Sequence, residues 1–178
     1  MMLYGGGDSS AFETLYARHK GAVYRFFLRQ LDPDAAAECH QEVWLKLISF
    51  RSDYKPVSGF KSFLFTIAHN TLTDHYRRNR RHQMTRSRID PDELPAENED
   101  GSGFSDALDR ENLVQRLRSG IHRLPFAQRE ALVLKQETGM PIKTIAEVTG
   151  STEEGIKSRL RYAINRLKRE LVRREPAA

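Results

Sequence analysis

Residues 90–111, "DPDELPAENEDGSGFSDALDRE", set the strongest limit on what this chain can fold into: nine acidic side chains stand against Arg110 alone. Like charges at this density repel, few apolar groups offset them, and Pro91, Pro95, Gly101 and Gly103 interrupt any regular element. Such a segment predicts a linker, so the 178 residues are expected to form two small modules rather than one core. The flanks have the opposite sign. Residues 61–89 hold seven basic side chains against Asp74, and residues 112–178 hold fourteen basic against seven acidic ones. Residues 1–60 are balanced, and the whole chain is +5. A basic, acidic, basic order in a chain of pI near 9.5 points to a polyanionic partner.

Several function classes drop out early. No apolar run of about 18 residues exists, so no membrane insertion is expected. The start, "MMLYGGGDSS", lacks the pattern of a secretory signal. Cys39 is the single cysteine, which excludes an internal disulfide and suits a reducing, cytoplasmic setting. Cys39 and His40 are adjacent, so on a helix they diverge by about 100° and share a metal poorly. No CxxC, HExxH, GxSxG or phosphate-loop pattern occurs. The chain is therefore expected not to be an enzyme and to need no metal, cofactor or small-molecule substrate.

The apolar pattern is helical almost throughout. Phe12, Leu15, Tyr16, Val23, Phe26, Phe27 and Leu31 share one face, with Ser10 and Glu13 expected as a capping box and "DPD" at 32–34 as a breaker. A second helix turns Ala36, Cys39, Val43, Leu47 and Phe50 inward. A third, from near Ser58, buries Phe60, Phe63, Leu64, Ile67, Ala68 and Leu72. Phe65 lies off that stripe and, with Tyr76, is a candidate to stack on an unpaired base. Asn70, Thr73 and Asp74 form a polar face, and Arg77, Arg78, Arg80 and Arg81 could hold phosphates.

Beyond the acidic block, Leu113, Val114, Leu117, Ile121 and Leu124 mark a helix stopped by Pro125, and "FAQREALVLKQETG" marks another ended by Gly139. "PIKTIAEVTGSTEEGIKSRLRYAINRLKREL" has the marks of a helix-turn-helix: small Ala146 at the crossing, Gly150 in the turn, Ile145 and Ile156 as the wedge, and Ser151 with Glu154 as an expected capping box. Its last helix hides Ile156, Leu160, Ala163, Ile164, Leu167 and Leu171 and presents Lys157, Ser158, Arg161, Tyr162 and Asn165. Such a face can lie in a major groove, where each bidentate contact discriminates by about 1–3 kcal/mol.

Rings and guanidinium groups on one helix suit a strand caught while it unpairs. Opening duplex costs about 1.4 kcal/mol per step, and stacking returns about 1–3 kcal/mol per base. A chain with so few rings would need a larger machine to hold a bubble open.

From Ala11 to Leu171 the chain resembles the extracytoplasmic-function (ECF) group of bacterial RNA polymerase sigma factors. "AFETLYARHKGAVYRFF", "QEVWLKL" and "FKSFLFTIAHNTLTDHYRR" resemble its region 2; "LPFAQREALVLK" and "IAEVTGSTEEGIKSRLRYAINRLK" resemble its region 4. The resemblance implies an all-α fold of two helical domains. A flexible N-terminus would span 1–10, a region 2-like domain 11–88, the acidic linker 89–111 and a region 4-like domain 112–175. It implies that Asp34, Glu38, Gln41 and Glu42 dock on the clamp coiled coil of core RNA polymerase, with the flap as a further contact. Lys61, Phe65, Asn70, Asp74, Arg77 and Arg78 would serve the minus-ten element of promoter DNA. Lys157, Ser158, Arg161 and Tyr162 would read the minus-thirty-five element, with Lys135 and Arg159 near phosphates. An anti-sigma factor is the implied inhibitor. Two stretches depart from the family pattern. "DAAAECHQEVW" keeps only Glu38 of two adjacent acids, and Lys143 and Thr144 stand where acids are common. The competing readings are a free-standing helix-turn-helix regulator and a single-strand RNA-binding adaptor.

Overall fold

The computed structural model describes residues 1–52, 54, 55, 59–86 and 106–172. Those residues form eight helices and no strand. They are α1 (Met2–Gly5), α2 (Ser9–Leu28), α3 (Pro33–Ser49), α4 (Phe60–Arg86), α5 (Asp106–His122), α6 (Phe126–Thr138), α7 (Ile142–Thr149) and α8 (Glu153–Val172). The linker expected over 89–111 lies mostly outside the described residues, and its last six positions are the start of α5.

Helix starts follow local chemistry, one or two positions from where the sequence suggested. Asp8, not Ser10, caps α2: its carboxylate accepts from the amides of Ser10 (2.9 Å) and Ala11 (3.3 Å). Aspartate and serine cap about equally well, and here the Asp8 carboxylate also accepts a hydrogen bond from the Ser10 hydroxyl at 2.6 Å. Asp32 caps α3 with Pro33 in the first turn. Thr152, not Ser151, caps α8 by accepting from the Gly155 amide at 3.0 Å, and Glu154 turns instead to Lys157. The N-terminus is also more anchored than expected. Tyr4 of α1 is buried against Phe12, with ring centroids 5.2 Å apart, and its carbonyl accepts from Arg51 Nε at 2.8 Å.

The two modules share one continuous core. Val23, Phe26 and Phe27 of α2, Ala36, Cys39, Val43, Trp44 and Leu47 of α3 and Leu64, Phe65, Ile67, Ala68 and Leu72 of α4 join Ala131, Val133, Leu134, Ile145, Val148 and Ile156. Three expectations about packing are corrected. Phe65 is fully buried, edge-on to Phe26 at 5.7 Å, because the helical stripe is wide enough to include it. Phe50 caps the end of α3 and stays 44% exposed. Ile164 is exposed on α8, and Leu113, Val114 and Leu117 are exposed on α5, since among the described residues neither helix is covered on that side. Cys39 and Trp44 are core residues, and burial pushes the Cys39 thiol up to about 11.

Candidate nucleic-acid and polymerase interface

In the second module, α7 and α8 cross at Ala146, with Ile145 and Ile156 fully buried between them. Gly150 makes the turn at φ 60°, a left-handed conformation that favours glycine, and the amide of Ser151 closes back on the Ala146 carbonyl at 2.9 Å. The turn leaves the outer face of α8 in solvent. Lys157, Arg161, Tyr162 and Asn165 are exposed, while Ser158 and Arg159 are half-buried at its edge. Contacts among the exposed group are local: Lys157 pairs with Glu154 one turn back, and the Arg161 guanidinium lies 5.3 Å from the Tyr162 ring centre. Lys135 does not belong with them. Its amine donates to the Met140 carbonyl at 3.0 Å and closes the chain behind α6.

In the first module the predicted residues separate. Asn70, Asp74, Arg77 and Arg78 share one outward arc of α4, with Asp74 and Arg77 3.6 Å apart. Lys61, Phe65 and Tyr76 lie elsewhere. The Lys61 amine donates to the Thr138 carbonyl at the end of α6. Tyr76 is half-buried, with its ring 5.1 Å from Phe126 and its hydroxyl donating to the Gln30 carbonyl at 2.8 Å. Burial pushes the Tyr76 phenol above its usual range. Neither Phe65 nor Tyr76 is free to stack on a base in this arrangement.

The polar contacts between modules were not anticipated. Arg129 of α6 is buried, and it donates to the His122 carbonyl (2.6 Å) and to the Tyr76 hydroxyl (2.8 Å). Glu130, also buried, meets His69 Nδ1 at 2.6 Å. Glu137 binds Arg25 at 2.7 Å and Arg29 at 3.5 Å. In "AQREALVLK" Arg129 and Glu130 sit inside a run that the structure buries on nearly every side, and nothing local in the sequence marks their distant partners.

On α3, Asp34, Glu38 and Gln41 are exposed on one stripe that continues into Leu45 (58% exposed) and Ile48 (41%). The two apolar members were missed; their signal was a position off the buried face of "VWLKLIS". Glu42 stands apart, with its oxygens 2.8 Å from Lys46 Nζ and 3.1 Å from Arg78 Nη2. Burial raises its pKa, but hydrogen bonds from Lys46 and Arg78 outweigh that and hold it below the usual range. Among the described residues, no cluster of three or more His, Cys, Asp or Glu could hold a metal, and no helix is long and apolar enough to cross a membrane.

These features agree with known proteins. Residues 15–82 match the Sigma-70 region 2 family, and residues 115–167 match the Sigma-70 region 4 family. The sigma factor CarQ of Myxococcus xanthus is 32% identical over 167 residues, covering 93% of this chain and 91% of CarQ. The ECF sigma-E factor of Escherichia coli is 29% identical, covering 94% and 92% of the two chains. The fold matches the sigma factor RpoE of Bartonella quintana, solved in complex with the anti-sigma factor NepR (TM-score 0.72, 24% identity, 93% of this chain and 99% of that one). It also matches CnrH, solved with the cytosolic domain of CnrY (TM-score 0.71, 22% identity, 97% and 95%). The chain belongs to the ECF group of RNA polymerase sigma factors, the subunits that direct transcription initiation to particular promoters.

Proposed function

We propose a division of labour within that role. The outer face of α8 reads the minus-thirty-five element through Lys157, Ser158, Arg161 and Tyr162, with Arg159 beside the phosphates. Asn70, Asp74, Arg77 and Arg78 of α4 meet the minus-ten element. Asp34, Glu38, Gln41, Leu45 and Ile48 of α3 dock on the clamp coiled coil of core polymerase, and the second module contacts the flap. The observation that supports this most is the exposed α3 stripe, acidic at one end and apolar at the other, on the module that carries the basic arc of α4. A free-standing operator-binding regulator has no use for such a surface.

An anti-sigma factor completes the set of partners, and the cytoplasm is where they meet. A cleft of about 610 Å³ between α2 and α5 supports this reading. Leu28, Leu31 and Ile121 line it, and Arg25, Arg29 and Arg118 are also on its walls, a combination suited to an acidic amphipathic helix.

Run-off transcription with core polymerase and a randomised promoter library tests the assignment. Transcripts are expected only when core enzyme and this protein are both present. Arg161→Ala should change base preference at the upstream element by roughly ten- to a hundredfold. Arg78→Ala should weaken all promoters and lower the salt slope by about one. Tight binding to palindromic duplex without polymerase, or equal losses from both variants on every sequence, would overturn it.

A further inference from the structure

We propose that Glu42 is a positioning residue for the minus-ten face rather than a contact to polymerase. Its neighbours in sequence suggest docking, but its geometry directs it inward to the chain itself. One carboxylate oxygen takes Lys46 Nζ at 2.8 Å and the other takes Arg78 Nη2 at 3.1 Å. Lys46 is itself pinned, because the same amine donates to the hydroxyl of Thr71, a fully buried residue of α4, at 3.1 Å. The result is a strut that runs from the interior of α4, through Lys46 and Glu42 on α3, back to Arg78 on the surface of α4. Docking residues Asp34, Glu38 and Gln41 have no comparable tie and sit on the exposed stripe beside it.

The strut solves a problem that a long cationic side chain poses. A free arginine at a helix surface samples many rotamers, and ordering it on a phosphate or base costs entropy each time. Holding one terminal nitrogen on Glu42 leaves the guanidinium of this 56% exposed side chain with its remaining donors available in a limited set of directions. Lys46 offsets the Glu42 charge, so the cluster of three keeps a net positive charge toward DNA. Arg78 sits one turn from Asp74 on the outward arc, where such a restriction matters most.

This inference rests on the minus-ten role given to Arg78 above. The test uses full-length protein assembled with core polymerase, comparing wild type, Glu42→Gln, Arg78→Ala and the double variant. Core affinity is measured by fluorescence anisotropy, and promoter opening by permanganate reactivity across a salt series. Glu42→Gln should leave core affinity within about twofold and reduce opening about fivefold, the scale of a half-exposed ion pair. Its salt slope should stay at least as steep as wild type, because removing the carboxylate leaves both cations in place, whereas Arg78→Ala lowers the slope by about one. The double variant should open promoters no worse than Arg78→Ala alone. A tenfold or greater loss of core affinity in Glu42→Gln would make it a docking residue and overturn the proposal. Losses that multiply in the double variant, or no loss in Glu42→Gln, would remove Glu42 and leave Arg78 in place. If Arg78→Ala opens promoters normally, both assignments fall together.

Discussion

The two helices proposed to face DNA differ in what else they are attached to. The outward residues of α8 make only local contacts: Lys157 to Glu154, and Arg161 over Tyr162. On α4 one outward residue, Arg78, and the side chains that flank its arc are built into the scaffold. Lys61 reaches the end of α6, Phe65 is core, Tyr76 joins the turn after α2 to α6, and Arg78 is tied to α3. A helix that reads an intact duplex can be finished in advance, because the groove exists before binding. A helix that meets a strand as it unpairs carries a surface bound up with its neighbours. Substitutions on the outer face of α8 should therefore change recognition alone, whereas those at the tied residues of α4 should change stability as well.

The sharpest attempt to break this contrast is Phe65→Ala. Removing a fully buried ring next to Phe26 should cost about 3–5 kcal/mol, read by chemical denaturation of the free protein. Arg161→Ala should stay within about 0.5 kcal/mol of wild type in the same assay. If Phe65→Ala kept full stability and failed only in promoter opening, the ring would work on DNA, and α4 would be as independent as α8.

Phe65 also marks where the sequence stopped being legible. The helix-turn-helix was readable because its requirements are local: a small residue at the crossing, a glycine in the turn, apolar residues three and four apart. Ala146, Gly150, Ile145 and Ile156 occupy those places. The first module's helices and most of their buried faces were readable for the same reason. Phe65 was misplaced because α4 is covered by α3 and α2 and also lies against the second module, which widens its buried arc beyond one stripe. Arg129 and Glu130 were missed for a related cause. Their burial depends on Tyr76 and His69, residues more than 50 positions away in sequence, and no local pattern encodes that meeting. Caps moved by one or two residues because "GGGDSS" and "GSTEE" each offer adjacent acceptors of similar strength.

Lys61 gives a smaller and more pointed comparison. Its ammonium sits at the carbonyl end of α6, where a cation is favoured by the helix dipole and by an unsatisfied carbonyl. Lys61→Ala should lower stability by about 0.3–1 kcal/mol in thermal or chemical unfolding without DNA present. An unchanged unfolding midpoint together with a lost minus-ten contact would return Lys61 to the DNA face and weaken the contrast between α4 and α8.

The smallest expected effect is a response to mild acid that is larger in the first module, where burial lowers His19 and His40, than in the second, where it lowers His122. Helix α8 carries no histidine, whereas His19 and His40 stand in the scaffold of α4, with the His19 ring 5.3 Å from Phe60. Burial holds both imidazoles below their ordinary value of 6.5. For His40 the geometry agrees, because Trp44 Nε1 donates to His40 Nε2 at 3.0 Å and that nitrogen can accept only while it is unprotonated. Above pH 6.5 both the folded and unfolded chains hold neutral rings, so these groups contribute no pH dependence. As the pH falls below 6.5, the unfolded chain takes up protons first, and the folded state loses stability until its own depressed pKa is passed. Thermal unfolding of the wild type should therefore shift to lower temperature between pH 7 and 5.5. His40→Gln should flatten that shift. A profile that is equally steep in His40→Gln, or stability that rises on acidification, would remove these rings from the scaffold's titration and leave α4 and α8 alike in their response to acid.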